Sequence, residues 1–136
     1  MAKKDKNIIT TGKRKTSIAR VTAKAGTGII RVNSKSINVY EPEVARLRIK
    51  EPVILASDVA QKMDIRVNVF GGGYLSQADA ARVAIAKAIV EFSKSKELRK
   101  KFLDYDRNIL VSDTRRTEPQ KPYRSAARSK RQKSKR

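Results

Sequence analysis

The chain has 136 residues and a formal net charge of +20, from 33 Lys or Arg against 13 Asp or Glu, a size that predicts one domain with extensions. It contains no Cys and no His, which excludes disulfides, the usual zinc fingers and the commonest general base. No apolar run approaches the ~18 residues of a membrane helix, and the start of the chain has no apolar core typical of a signal peptide. We therefore expect a soluble intracellular protein with a strong attraction to polyanions.

The basic charge is concentrated at the two ends of the chain. Residues 1–20 carry a net charge of +6, residues 21–113 carry +5, and residues 114–136 carry +9. The last segment holds ten Lys or Arg, one acid and no aliphatic residue larger than Ala, so it cannot bury enough apolar surface to fold alone. We predict a basic N-terminal arm at 1–10, a globular domain at 11–113 and an extended basic C-terminal tail at 114–136.

In chain order, the domain begins with short strands. Alternating apolar residues predict a strand over 17–24, which a turn joins to a second strand over 29–33 as a β-hairpin. A third short strand is expected over 37–39. Two short helical segments follow, the first beginning near Pro42 and interrupted at Pro52.

The second half of the domain has one clear strand and one clear helix. Apolar and polar residues alternate over 63–70, which predicts a strand with one buried and one solvated face. Ser76 is the expected N-cap of a helix that ends near Phe92. The predicted inner face of this helix is Ala78, Ala81, Ile85, Ala88, Ile89 and Phe92.

A more charged helix over 96–103 and a last short strand over 109–111 complete the predicted domain. Phe70 and Phe92 are expected in the core, whereas Tyr123 has no sequence neighbours that could bury it. Because strands come mainly first, we predict an α+β fold with a mixed sheet of four to five strands and helices packed on one face.

The loop over 11–16 places three consecutive cations, Lys13, Arg14 and Lys15, next to Gly12 and between hydroxyl side chains. It lacks the glycine spacing and the following helix of a nucleotide-binding Walker loop. Cations beside hydroxyl groups suit the phosphate oxygens of a polynucleotide, so we predict contacts to a nucleic-acid backbone here.

Three successive glycines, Gly71, Gly72 and Gly73, lie between the clear strand and the clear helix. Backbone N–H groups at such a position can bind a phosphate. A tight turn that needs positive φ is an equally good interpretation, and glycines also allow an RNA backbone to approach closely. These alternatives stay open at the level of the sequence.

The composition of the tail favours a nucleic-acid partner. Its ten cations include six arginines, whose forked guanidinium groups suit phosphates and stack on bases. Tyr123, within this basic segment, could stack on a base or a ribose. A fully extended chain of this length reaches about 75 Å, so the tail can act far from the domain.

Asp104, Asp106 and Asp113 could be imagined as the metal-binding carboxylates of a nuclease. Their neighbours include cations that would pair with them, so we interpret them as solvated or salt-bridging carboxylates. We expect no catalytic residue, no metal and no cofactor.

Several motifs, in this order, resemble the universal small-subunit ribosomal protein family nine, and in particular its archaeal branch. The resemblance extends from about residue 10 to residue 136. The matching segments are TGKRKTSIAR at 11–20, EPE at 41–43, EP at 51–52, FGGG at 70–73, QA at 77–78, ARVA at 81–84, DTRRTE at 113–118 and QKSKR at 132–136.

The resemblance implies an α+β domain with the topology of the second domain of ribosomal protein S-five, including a left-handed βαβ crossover. It implies a place in the head of the small subunit, bound to small-subunit ribosomal RNA beside neighbouring ribosomal proteins, with the tail reaching the anticodon arm of the P-site tRNA. The expected tRNA contacts are Arg131, Lys133, Lys135 and Arg136. The expected RNA contacts are Lys13, Arg14, Lys15, Arg20, Gly71, Gly72, Gly73, Arg115, Arg116, Lys121, Tyr123, Arg124, Arg128 and Lys130.

We therefore predict a non-enzymatic, cytoplasmic structural protein of the small ribosomal subunit that binds ribosomal RNA and supports tRNA in the P site. An architectural DNA-binding protein is the alternative, and it would bind duplex DNA as well as folded RNA. A metal-dependent nuclease is a further alternative, and it would need Asp104 or Asp106 for cleavage. No membrane partner is expected.

Overall fold

Five strands form one open sheet with helices on one of its faces, in a computed structural model that describes residues 7–130. The elements in chain order are β1 (Ile8–Arg14), β2 (Ser17–Ala25), β3 (Ile30–Val32), β4 (Lys35–Ser36), α1 (Glu43–Leu55), α2 (Ser57–Ala60), β5 (Met63–Phe70), α3 (Tyr74–Ser93) and α4 (Lys96–Tyr105). Turns of 3-10 helix lie at Ile37–Val39 and Arg107–Ile109. The predicted α+β class is confirmed.

The sheet is mixed, with the strand order β1-β2-β5-β3-β4. Neighbouring strands pair antiparallel except β3 and β5, which lie parallel. The chain passes from β3 to β5 through α1 and α2, so a crossover with helices connects the parallel pair. The mixed sheet of four to five strands is confirmed, and the left-handed sense of the crossover stays a prediction.

One face of the sheet is buried beneath α3, and the other face is open. Alternate residues of β2 and β5, among them Val21, Ile65 and Val67, are buried, whereas the residues between them are mostly exposed. Helix α3 packs on β1, β2 and β5, and α1 packs beside α3. The predicted inner face of α3 is fully buried apart from Phe92, which packs against the core while partly exposed. The spacing of apolar residues therefore predicted the covering helix correctly.

Strand β1 begins in the region that the sequence assigned to an N-terminal arm. Ile8 pairs with Ala23 and Thr10 pairs with Val21. In addition, Thr10 Oγ1 donates a hydrogen bond to the carbonyl oxygen of Ala84 in α3, with a length of 2.7 Å. The prediction of an arm through residue 10 is therefore wrong for its last three residues, because Gly12 and the cations around it obscure the strand pattern.

Strand β2 pairs with β1 and β5 rather than with β3, which corrects the predicted hairpin. Arg14 lies opposite Ser17, so Lys15 and Thr16 form a two-residue turn with Lys15 at a φ of 53°. The turn lacks the Asn-Gly or Gly-x pair that usually marks such a hairpin. The strand predicted over 29–33 pairs instead with β5 and β4.

Two predicted short strands are turns of 3-10 helix. At Ile37–Val39, Ser36 Oγ accepts a hydrogen bond of 3.4 Å from a backbone N–H two residues ahead. At the end of the domain, Asp106 Oδ1 accepts one of 2.9 Å from the N–H of Asn108, and Ile109 is buried. A short apolar run does not distinguish a strand from a buried turn, and here the capping side chains favour the turn.

Helix α1 continues through Pro52, where the sequence predicted a break. Pro52 and Ile49 are both buried, so their packing offsets the backbone hydrogen bond that proline cannot donate. Helix α4 is confirmed and extends two residues further than predicted, to Tyr105. No helix within residues 7–130 combines the length and the apolar character needed to cross a membrane.

Two further expectations fail at the junction of β5 and α3. Helix α3 begins at Tyr74 with Gly73 in the N-cap position, before the predicted cap Ser76. Phe70 is 58% exposed, because the alternation that buries Val69 turns Phe70 to the open face of the sheet. The expectation of a core position for Phe70 is therefore wrong.

Candidate nucleic-acid interface

The β1–β2 turn lies against the turn formed by the successive glycines. Ser17 Oγ donates a hydrogen bond to the carbonyl oxygen of Gly71, with a length of 2.8 Å. Gln77 Nε2 donates to the same oxygen at 3.1 Å. The glycines and the cationic loop, which are distant in sequence, therefore meet at one end of the sheet.

Gly71 and Gly72 are required by the packing of the protein itself. Their φ angles are 77° and 65°, a region that glycine adopts without steric cost. A Cβ on Gly71 would lie 2.7 Å from the carbonyl oxygen of Thr16, and a Cβ on Gly72 would lie 2.2 Å from Ser17 Oγ. The interpretation as a tight turn is supported for these two residues.

Gly73 has a different environment. Its φ is −91°, and a Cβ there would meet nothing within 4 Å. It occupies the N-cap position of α3, whose first N–H groups donate no hydrogen bond to a capping side chain. The partial positive charge at this helix end is thus left without a side-chain acceptor, close to the β1–β2 turn. Of the three glycines, Gly73 has the room for a phosphate or an RNA backbone to approach.

The three consecutive cations of the loop do not share one surface. Lys13 is exposed on the open face of the sheet, and so is Arg20, two residue pairs away on β2. Lys15 is exposed in the turn itself. Arg14 lies on the opposite face of β1, towards the helices. Lys13, Lys15 and Arg20 are therefore accessible to a nucleic acid, whereas Arg14 is partly covered on the helix side of the sheet.

Arg14 is held by carboxylates of its own domain. Its side chain is only 18% exposed, with Nη1 lying 3.0 Å from Asp113 Oδ2 and Nε lying 3.8 Å from Asp79 Oδ2. The contact with Asp113 is an ion pair that lacks the alignment of a hydrogen bond. Asp79 also accepts a hydrogen bond of 2.6 Å from Arg48. The geometry thus gives Arg14 a structural role, and its expected RNA contact stays a prediction.

Asp113 connects the end of the domain to the start of the tail. Arg115 donates to it from its backbone N–H at 2.9 Å and from its guanidinium, whose Nη2 lies 2.7 Å from Oδ2. These hydrogen bonds, chiefly those of the guanidinium, lower the pKa of Asp113 to about 2. Because the Arg115 side chain is still 78% exposed, it can also face a phosphate.

Within residues 114–130, the tail contains no helix or strand and no buried residue. Tyr123 is 96% exposed, as expected. Arg128 forms an ion pair with Glu118, at 2.6 Å between Nη2 and Oε1, and Arg124 donates to the carbonyl oxygen of Ser129 at 3.3 Å. Within the described residues, no acid pairs with the remaining predicted contacts Arg116, Lys121 and Lys130. The predicted tRNA contacts Arg131, Lys133, Lys135 and Arg136 lie outside the described residues.

The three aspartates considered for a nuclease have separate environments. Asp106 Oδ2 lies 2.9 Å from Arg82 Nη2, and Arg82 also pairs with Glu51. Asp113 pairs with arginines, and Asp104 is exposed. In the part of the chain from 7 to 130, no group of three or more acidic side chains is placed to hold a metal ion. The interpretation of Asp106 and Asp113 as salt-bridging carboxylates is confirmed.

Further exposed cations lie on the open face of the sheet and were not singled out from the sequence. They are Lys24, Arg31 and Arg66, in three different strands. The strand alternation indicated that Arg66 faces outward, but only the register shows that these residues are neighbours.

Known proteins match this chain over almost its whole length. The family model described as ribosomal protein S9/S16 matches residues 12–136. The small ribosomal subunit protein uS9 of Methanococcus maripaludis strain C7 is 53% identical over 131 residues, covering 95% of this chain and 98% of that protein. The protein of the same name from Methanococcus vannielii is 51% identical over 131 residues, with the same shares covered. The chain therefore belongs to the ribosomal protein S9/S16 family.

Proposed function

We propose that this chain is a structural, non-catalytic protein of the small ribosomal subunit whose domain binds ribosomal RNA in the head and whose tail reaches the P-site tRNA. Family membership supports the coarser part of this proposal. The protein is a structural component of the small ribosomal subunit, which is cytoplasmic, and its partners are ribosomal RNA and other ribosomal proteins. Contact with the P-site tRNA is the more specific part of the proposal, and the cationic tail supports it.

The observation that carries the proposal is a cationic tail whose described residues, 114–130, add nothing to the core of the domain. Residues 114–136 carry ten of the 33 Lys and Arg residues. Within 114–130 these side chains are exposed, so the phosphates of folded RNA can reach them from several sides. The ion pair of Asp113 with Arg14 holds the start of the tail against β1, which sets where the tail leaves the domain.

The division into an N-terminal arm, a domain and a tail belongs to the same proposal, with the domain extended to include all of β1. Direct RNA contact is proposed for Lys13, Lys15 and Arg20, which are exposed at or near the glycine turn. No observation favours the alternative of an architectural DNA-binding protein. Such a protein would bind duplex DNA as tightly as small-subunit ribosomal RNA, and a competition assay between the two separates these functions.

Removal of the last two residues, Lys135 and Arg136, tests the contact with tRNA. We expect small subunits that carry the shortened chain to assemble normally and to retain P-site tRNA more weakly, because two cations at the far end of the tail are lost. Filter binding of tRNA to these subunits over a salt series measures the effect, and the difference should be largest at low salt.

The matched control removes two charges from the start of the tail, as Arg115→Gln with Arg116→Gln. This variant should keep P-site tRNA more firmly than the shortened chain, although it loses the same charge. Unchanged tRNA affinity of the shortened chain over the whole salt series would contradict the contact with tRNA. Failure of the full chain to co-sediment with small subunits would contradict the ribosomal function itself.

A further inference from the structure

We propose that the open face of the sheet is a second RNA surface, separate from the tail, where Arg20, Arg31 and Arg66 bind the phosphate backbone of ribosomal RNA. The inference rests on the proposed function, because ribosomal RNA is the polyanion concerned. It extends the contacts proposed for Lys13 and Arg20 across the open face and names two arginines, Arg31 and Arg66, that no motif indicated.

Among residues 7–130, the open face is strongly basic, and its one acid, Asp64, already accepts hydrogen bonds from the backbone. Asp64 Oδ1 accepts hydrogen bonds from the N–H groups of Ile29 at 3.1 Å and Thr27 at 2.9 Å. These bonds hold the pKa of Asp64 below its usual range. Of the cations, Lys24 is the register partner of Asp64. Asp64 also lines the hollow beside Arg31 and Arg66, but within residues 7–130 it forms no ion pair with them. The cations that residues 7–130 place on this face are Lys13, Arg20, Lys24, Arg31 and Arg66.

Two of these arginines are placed directly beside each other. Arg31 of β3 and Arg66 of β5 are register partners on adjacent parallel strands, and both are exposed. Within residues 7–130 neither side chain forms an ion pair. Like charges directly opposite each other destabilise a sheet. A phosphate bound between the two guanidinium groups would attract both of them and so offset their repulsion. Water alone provides no such anionic partner.

The paired arginines border a hollow with further hydrogen-bond donors. The hollow has a volume of about 530 Å³ and is also lined by Thr22, Lys24 and Asn68. Forked guanidinium groups next to hydroxyl and amide groups match the oxygens of phosphate and ribose. Arg20, the register partner of Asn68, extends the same basic strip across β2.

The charge distribution favours RNA over a protein partner. Ile9, Ile29 and Phe70 are also exposed on this face, and they would suit the surface of a neighbouring protein. A protein occupant would have to supply several carboxylates at the spacing of the arginines. The phosphates of RNA repeat along its backbone, so RNA of any sequence offers several anionic groups to these arginines. We therefore assign the face to RNA, with a protein neighbour as the outcome that would refute the assignment.

The first test compares two double variants of the full chain. Arg31→Gln with Arg66→Gln removes the paired charges, and Arg99→Gln with Arg107→Gln removes two exposed arginines from the helix side of the domain. In filter binding to small-subunit ribosomal RNA at about 0.1 M salt, the first variant should lose roughly tenfold in affinity and flatten the log–log salt slope by roughly 1.5. The control should lose clearly less.

The unfolding temperature gives an independent readout of the same variants. Removal of the like-charge pair should leave the melting temperature of the Arg31→Gln, Arg66→Gln chain unchanged or higher. Equal losses of affinity in both double variants would mean that only net charge matters, and this would overturn the proposal. A fall in the melting temperature would equally overturn it, because the arginines would then serve the fold.

A crosslinking experiment identifies the occupant directly. Because the chain has no Cys, Asn68→Cys provides a unique attachment point for a photoreactive group at the centre of the open face. In assembled small subunits, crosslinks to ribosomal RNA are expected, and crosslinks to protein alone would overturn the proposal. If the unaltered chain failed to bind small-subunit ribosomal RNA, the proposed function would fail first. If it binds and this face does not crosslink to RNA, only the present inference fails.

Discussion

Gly12 lies where β1 meets α3, and the lack of a side chain allows the two elements to approach. A Cβ on Gly12 would lie 2.1 Å from the carbonyl oxygen of Ala80 and 2.8 Å from the amide nitrogen of Ala84. In the sequence Gly12 stands beside three cations, which favoured a role in a phosphate-contacting loop. Its position against the backbone of α3 assigns it to packing.

The change Gly12→Ala should lower the free energy of unfolding by roughly 1–3 kcal/mol, because the atoms that a Cβ would meet are backbone atoms that cannot move aside. Urea denaturation measures the change. Gly73→Ser is the control, since position 73 has room and a serine hydroxyl can cap α3, so stability should hold or rise by a few tenths of a kcal/mol. If Gly12→Ala were as stable as the unaltered chain, the close contact of β1 with α3 would be refuted.

At the scale of elements, the segment that follows α4 decides where the tail begins. It ends at Asp113, which pairs with Arg14 from β1 and with Arg115 from the tail. A single carboxylate therefore joins an edge strand to the first residues of a cationic extension. The contact explains why Arg14 faces inward although it lies between two exposed lysines.

The ion pairs of Asp113 should make part of the stability of the folded domain depend on pH. Its pKa is lowered from 3.8 to about 2, mainly by hydrogen bonds from the Arg115 side chain and then from the Arg115 backbone N–H. Because the pKa is lower in the folded state, the contribution is fully present above about pH 4 and is lost as the pH falls towards 2. Asp113→Asn should remove this part of the acid dependence, as measured by thermal unfolding at several pH values.

The control for this experiment is Asp104→Asn, which changes an exposed aspartate that forms no ion pair within residues 7–130. It should leave the loss of stability between pH 4 and 2 as it is in the unaltered chain. If Asp113→Asn and Asp104→Asn behaved alike, the ion pairs of Asp113 would have no measurable part in stability.

At the scale of the whole molecule, the ion pairs that stabilise the fold and the cations proposed to bind RNA are largely different side chains. The acids of the domain, such as Glu51, Asp79 and Asp106, pair with arginines of the same domain. The tail has one acid and ten cations, so most of its charge has no partner of its own. Ion pairs inside the domain therefore neutralise part of its charge, whereas the tail and the open face of the sheet need an external polyanion.

A chain that stops after Thr117 tests this division. It keeps the contact of Arg115 with Asp113 and removes residues 118–136, which include eight of the tail cations. Its melting temperature should stay close to that of the full chain, because the described part of the removed segment buries no residue. If half of the removed cations contact phosphates, the salt slope of ribosomal RNA binding should flatten by roughly 3.

The same experiment has a clear contrary outcome. A large fall in the melting temperature would show that the tail belongs to the folded domain. An unchanged salt slope would show that the removed cations are merely solvated.

Patterns that repeat within a few residues were predicted correctly from the sequence. The strand over 63–70 and the buried face of α3 follow from alternation and from spacings of three and four, which depend only on local backbone geometry. The extended tail is predicted from composition, because a segment without large apolar residues has nothing to bury, and its full extent stays a prediction. The resemblance to a ribosomal family likewise depends only on motifs and their order along the chain, and it is confirmed.

Relations between residues far apart in the chain come instead from the folded arrangement. The pairing of β2 with β1, the inward position of Arg14 and the neighbourhood of Arg31 and Arg66 all depend on strand order and register. Such pairings join segments separated by long loops and are selected by the packing of the whole core. Local sequence patterns do not show which strand pairing is selected. The amino-acid sequence therefore determines which segments fold and where the basic residues are concentrated. The assembled sheet determines which of these cations lie next to each other.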